Sequence, residues 1–189
     1  MNLKHIVAAL GIAATVAAAP ALADAPLKFD GAIGSQPLRA NAAVNAVRGV
    51  NPGGIPWVIR TFRADIKPAS PAGRGAGEVR ILARGEGLLL GGGDTVGARG
   101  GTRFVVAALF CRDSTGASVG PFHSAPADLD VNGDFLIDSP LADSAGAAPP
   151  AVCGDRLDNR PVLLIRSAAI GADGSVTPGN WFAAGILKD

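Results

Sequence analysis

Apolar and polar residues alternate most cleanly between Glu78 and Glu86. Val79, Ile81 and Ala83 fall on one side, and Glu78, Arg80, Arg84 and Glu86 on the other. Period two is the signature of a strand with one buried and one solvated face, and Leu88 to Leu90 extends its apolar run. Trp57 to Lys67 also alternates, with Val58, Phe62, Ala64 and Ile66 on one face and Arg60 interrupting it. Thr102 to Cys111 is different: Phe104, Val105, Val106, Leu109 and Phe110 make it almost continuously apolar. That pattern predicts a central strand buried on both faces. Pro121 to Val131 reads as extended, Asn132-Gly133 as a two-residue hairpin turn, and Phe135 to Ile137 as the return strand. Val162 to Arg166 and Trp181 to Leu187 supply the last strands. Loops rich in Gly, Pro, Ser or Ala separate these runs at 68–77, 91–101, 112–120 and 141–150.

About seven short strands with Gly/Pro punctuation and no sustained helical period predict an all-β fold. The expected architecture is a β-sandwich, immunoglobulin-like or related, with a small β-barrel as the alternative.

The N-terminus follows another logic. Lys4 and His5 precede an apolar run from Ile6 to Ala19, then Pro20 and the small residues of Ala21-Leu22-Ala23. This is the layout of a bacterial-type secretory signal peptide, residues 1–23, whose apolar core is expected to be helical and to be cleaved after Ala23. The run falls short of the ~20 residues a membrane span needs, and no later segment supplies one. Residues 24–54 carry no defined element; Asn41 to Arg48 is either a short helix stopped by Gly49 or extended, and Asn51-Pro52-Gly53-Gly54 is a turn. Residues 55–189 then form a single β domain. Export places the protein in the periplasm or outside the cell.

Cleavage would remove Lys4 and leave 16 basic against 16 acidic side chains, from 17 and 16 in the full chain. A near-zero balance gives no general attraction to nucleic acid or to an anionic membrane. Basic residues dominate between Asp24 and Gly100, acidic ones from Gly101 onward; in an interleaved β fold this predicts internal pairing. Tyr is absent and aromatics make up 5%, which disfavours the stacking surfaces of sugar- and single-strand-binding proteins. Cys111 and Cys153 are the two cysteines. An even pair in an oxidising compartment predicts a disulfide, which would restrict the unfolded chain by roughly 4 kcal/mol in the entropy picture.

Three motifs carry candidate chemistry. Asp128, Asp130, Asn132 and Asp134 place oxygen side chains at alternate positions around Gly133, with Asp138 a further ligand. This is the donor pattern of the first half of a calcium loop. The twelfth position counted from Asp128 is Ser139, where such a loop wants a bidentate Glu, so the default reading is a hairpin with solvated carboxylates. The glycine run from Gly91 to Gly101 lacks the Lys-Ser/Thr pair of a phosphate loop and reads as a connection. His123 is the one histidine left after cleavage. A hydrolytic triad would have to use it with Ser114 or Ser124 and an Asp, and no G-x-S-x-G elbow is present. Glu78 and Glu86 are expected to pair with Arg80 and Arg84, and Trp57 and Trp181 to be buried. With no catalytic or cofactor-binding residue identified, the expectation is an exported, non-enzymatic β-sandwich domain acting as an interaction or structural module. Its partner would be a protein or a cell-surface component. The alternatives are a secreted hydrolase using Asp carboxylates or His123, and a calcium-dependent adhesion or matrix protein.

Overall fold

The computed structural model describes residues 26–37, 45–68, 77–113, 115–150, 153 and 161–188. The signal-peptide region, residues 41–44 of the Asn41–Arg48 segment and Ser114 lie outside them. The described residues are all-β: β1 (Leu27–Gly34), β2 (Trp57–Val58), β3 (Thr61–Lys67), β4 (Arg80–Glu86), β5 (Leu89–Leu90), β6 (Phe104–Arg112), β7 (Ser118–His123), β8 (Ala127–Asp128), β9 (Phe135–Pro140), β10 (Val162–Ile170) and β11 (Val176–Leu187).

Alternating side chains decide which face of each strand turns inward. Phe62, Ala64 and Ile66 on β3, Ile81 and Ala83 on β4, and Phe135 and Ile137 on β9 are buried while their neighbours face out. β6 is buried on both faces from Val105 to Cys111. One main sheet runs β7-β6-β10-β11-β1-β3-β4-β9, every neighbouring pair antiparallel, with β8 also paired to β6. It curls into a half-barrel around the inward residues. Register shifts in the β1–β11, β10–β11 and β6–β7 ladders supply the local bends and added twist that curl a sheet. At Gly31 (φ 82°) the β1 bulge uses a left-handed conformation that a side chain would resist. The architecture is therefore one curled sheet. No second sheet of comparable size faces it among the described residues, the other being the two-stranded β2–β5 ribbon.

Several boundaries differ from the sequence reading. Leu27–Gly34, in the segment without a predicted element, is a strand in the middle of the sheet, between β11 and β3. Leu27 and Phe29 alternate with Lys28 and Asp30 there, but the bulge at Gly31 cuts the pattern after four residues. The 57–67 run breaks at Ile59 and Arg60, so the buried face switches: Trp57 is inside and Val58 is exposed. β7 begins at Ser118, inside the predicted loop, and β11 begins at Val176. At the end of the Asn41–Arg48 segment the chain is a turn rather than a helix: Val47 and Val50 form a bridge around Arg48 (φ 52°) and Gly49 (φ 78°). This turn packs Val47 and Val50 on the outer face of the sheet against Ala108, Phe110, Leu164 and Trp181, which is why β6 is buried twice.

Cys111 on β6 and Cys153 are joined by a disulfide, with Cα atoms 5.3 Å apart. The bond fits an oxidising compartment. Among the described residues no helix is long and apolar enough to cross a membrane.

A candidate site at the sheet seam

The two edge strands of the curled sheet nearly meet, and the seam between them collects most of the predicted site residues. Chain 118–129 forms one edge. It follows β6 as β7, leaves the ladder at Ser124–Pro126, and rejoins it as β8. Ser124 manages the interruption: its Oγ accepts the Ala107 N–H at 2.9 Å and donates to the Ala125 carbonyl at 2.8 Å. β9 forms the other edge. The edges are held together at both ends: His123 and Ala142 exchange backbone hydrogen bonds of 2.7 and 3.1 Å, and at the far end the Asp130 N–H donates to the Asp134 carbonyl at 3.0 Å. One step further, the Ala125 N–H is taken by the Ser139 hydroxyl at 3.0 Å rather than by backbone. Beyond that point the ladder stops. A cavity of about 610 Å³ opens there, lined from one side by Ala125–Asp128, from the other by Phe135–Ser139, and at its floor and end by Arg84, Gly85, Glu86 and Asp134.

The register shows what β9 presents to this slot. Leu141 donates to the Val79 carbonyl at 2.8 Å, and Ser139, Ile137 and Phe135 stand opposite Ile81, Ala83 and Gly85. Hydrogen-bonded pairs alternate along an antiparallel ladder. The odd-numbered residues of β9 are therefore bonded to β4, and the N–H and C=O groups of Leu136 and Asp138 point into the seam. They form no ladder with β8, which lies against them. Leu136 is 60% exposed.

The acidic turn sits at one end of the slot. It is a three-residue hairpin loop rather than the predicted two-residue one. Asp130 N–H donates to the Asp134 carbonyl and Gly133 N–H to the Asp130 carbonyl, with Gly133 at φ 79°. A Cβ on Gly133 would stand 2.6 Å from Leu88 backbone atoms, so both its conformation and its packing require glycine. The Asp130 Oδ1 accepts the N–H groups of Asn132 and Asp134, each at 2.8 Å. The same construction recurs at Asp113, which caps Thr115 and Ala117, and at Asp143, which caps Ala145 and Ala147. The D-x-x-G spacing common to all three is visible in the sequence.

The remaining carboxylates also have stated duties. Asp134 Oδ1 accepts the Gly87 N–H at 2.9 Å. Asp138 pairs with Arg80 at 3.0 Å, and Arg80 also holds Glu78 at 3.2 Å. Glu86 lies 3.4 Å from Arg60 and 3.9 Å from Arg84, so Glu78 pairs with Arg80 and Glu86 with Arg84 as expected, with Arg60 a closer partner of Glu86. Asp128 is exposed, and its carboxylate makes no hydrogen bond or ion pair among the described residues. No group of three or more His, Cys, Asp or Glu side chains converges as a metal site among the described residues.

The chain matches no protein-family model, no curated protein and no solved structure.

His123 lies on the outer face of the sheet, across β6 from Arg166. Its Nε2 is 3.1 Å from Arg166 Nη1, and Arg166 also donates to the carbonyls of Gly179 and Pro178. Burial, then the nearby Arg166 charge, push the His123 pKa below its ordinary value. Its ring nitrogen accordingly accepts from the guanidinium. Ser124, one of the two serines considered for a triad, spends its hydroxyl on the β6 backbone. Trp57 and Trp181 are buried, Trp57 stacking on Phe182 with ring centroids 3.9 Å apart. That pair floors a second cavity, of about 710 Å³, whose lining contains no charged residue. Nothing in the sequence pointed to Arg166 or to the seam, because both depend on which strands become neighbours.

Proposed function

We propose that this protein is an exported, non-enzymatic interaction module whose binding surface is the β8–β9 seam. The observation that carries the reading is the interrupted ladder. Pairing begins at His123/Ala142 and stops, leaving backbone donors and acceptors of β9 open beside a slot. Unpaired backbone groups beside a cavity are hydrogen-bonding partners for a bound ligand.

The hydrolase alternative draws less support. His123 faces a cation rather than a carboxylate, and the Ser124 hydroxyl is spent on backbone. The calcium alternative would require Asp130 and Asp134 to release the amides they now hold. Selection from a random-peptide display library tests the proposal. Enriched binders should lose affinity in Leu136→Pro, which removes an N–H facing the seam, and retain it in His123→Gln. Enrichment that ignores Leu136→Pro would refute the seam as the binding surface.

A further inference from the structure

We infer that the second cavity, the one floored by Trp57 and Phe182, is a binding site for a small, flat, uncharged aromatic molecule that carries a hydroxyl or carbonyl oxygen. It shares no lining residue with the seam, so the two readings stand or fall separately. Three features select this ligand: the shape of the cavity, its lack of charge, and a buried indole N–H without an acceptor.

The sheet builds the floor. Successive side chains of a strand go to opposite faces, so on β11 Trp181 packs on the outer face and Phe182 on the inner one. Phe182 stacks on Trp57 with ring planes 18° apart, and the β2–β5 ribbon sets Leu90 opposite Trp57. Around these three side chains, the bend at 53–55, the 95–102 loop and Asn180 bound about 710 Å³, the size of a small-molecule site. Gly53, Gly54, Gly100 and Gly101 all line it, which puts backbone rather than side chains around the space.

Chemistry selects the occupant. Every lining residue is neutral, so a charged ligand would lose hydration with nothing to replace it. Trp57 is 4% exposed, and its indole N–H makes no hydrogen bond among the described residues. Gly53 places no side chain over that nitrogen; a Cβ there would stand 2.7 Å from it. A buried indole N–H ordinarily has a partner, and a ligand oxygen in the cavity supplies one. The Trp181 N–H is unpaired too, but it is sealed off on the outer face, out of reach of the cavity. A plain hydrocarbon would leave the Trp57 N–H unpaired. A saccharide fails for the opposite reason: its hydroxyls need partners on most sides, whereas Ile55, Leu90, Ala98 and the two rings present none beyond that N–H. Polar side chains stand only at Thr95, Thr102, Ser167 and Asn180. A flat aromatic ring with one or two oxygens satisfies both halves, its ring against the Trp57–Phe182 pair and its oxygen toward the indole N–H.

Naphthol, naphthalene, naphthoate and methyl glucoside serve as probes. Each is titrated into nitrogen-labelled protein, and the indole N–H and backbone amide resonances are followed by two-dimensional NMR; Trp57→Phe assigns the two indoles. Naphthol should shift the Trp57 indole resonance and the amides of Gly53 and Gly101, and leave the Trp181 indole in place. It should bind at least about tenfold tighter than naphthoate, the effect of burying a charge without a partner, and tighter than methyl glucoside by a similar factor. Trp57→Phe keeps a ring in the stack and removes the donor. It should weaken naphthol about threefold or more, the effect of one net hydrogen bond, and leave naphthalene within about twofold. Gly54→Leu, whose Cβ would meet no atom within 4 Å, should weaken naphthol and naphthalene alike by filling the space, with the unmoved Trp181 resonance reporting an intact fold. Equal affinity for naphthol and naphthoate would overturn the uncharged ligand, and tighter binding of methyl glucoside the aromatic one. Naphthol affinity unchanged in Trp57→Phe would overturn the oxygen at the indole N–H. Absence of a shift at Trp57, or equal shifts at both indoles, would overturn the cavity as a site.

Discussion

Gly85 and Phe135 face each other across β4 and β9 at the floor of the seam. The Phe135 ring lies over the glycine, and a Cβ built on Gly85 would stand 2.3 Å from Cε1 and 2.4 Å from Cζ. The ring is itself buried and tilted against Phe62, with centroids 6.4 Å apart, so it cannot swing into solvent without losing that packing. Gly85→Ala should therefore act through overpacking, at a cost of about 1–3 kcal/mol. An opposing gain of about 0.5–1 kcal/mol comes from the stiffer unfolded chain. The net destabilisation should be about 1–2 kcal/mol, or roughly 2–8 °C in Tm for a chain of this size. Phe135→Leu removes the ring atoms that collide, so in that background Gly85→Ala should be neutral or slightly stabilising. The expected coupling in the double-mutant cycle is about 1–3 kcal/mol. Equilibrium urea unfolding of the four proteins, followed by the fluorescence of the buried Trp57 and Trp181, measures it. If Gly85→Ala costs the same in both backgrounds, within about 0.5 kcal/mol, the ring-on-glycine contact is not what makes Gly85 necessary.

Other expectations concern the disulfide, the histidine and the acidic turn. Replacing Cys111 and Cys153 by Ser should lower stability by about 4 kcal/mol, the entropy of a loop closed over a sequence separation of 42, read as the shift between oxidised and mutant urea midpoints; a loss under about 1 kcal/mol would contradict it. Because the folded His123 pKa is lowered, the native state takes up its proton later than the unfolded chain does. Stability should then be full above about pH 6.5 and fall as pH drops through the window between the ordinary and the lowered value. His123→Gln should flatten that window in unfolding curves taken between pH 5 and 8, and an unchanged slope would count against the assignment. Asp130→Ala should cost about 1–2 kcal/mol by releasing the amides of Asn132 and Asp134, with Asp130→Asn closer to wild type; equal losses would show that the acceptor oxygen is not the cause. Excess calcium against chelator should leave Tm unchanged, whereas a rise of several degrees that disappears in Asp130→Ala would show a cation taking over the turn.

Much of the fold is local and was legible. Ile81 and Ala83, Phe62 and Ile66, and the unbroken run through β6 announce their strands because burial on one face or two leaves a periodic trace in the side chains themselves. Burial of both tryptophans, the arginine partners of Glu78 and Glu86, and the disulfide follow from composition and compartment by similarly short arguments. β1 escaped notice because a single bulge at Gly31 ends its alternation, and β7 because Ser118 to Gly120 looks like loop until β6 lies beside it. The all-β class, the disulfide pair and the position of an acidic turn were thus determined by the chain alone. What only the tertiary structure decided is that the strands form one curled sheet, that its edges meet at His123 and Ala142, and that the ladder stops there. Pattern records whether a residue is buried, but not against which strand, and an interrupted ladder is a property of two segments that lie 19 residues apart, from His123 to Ala142, in the sequence.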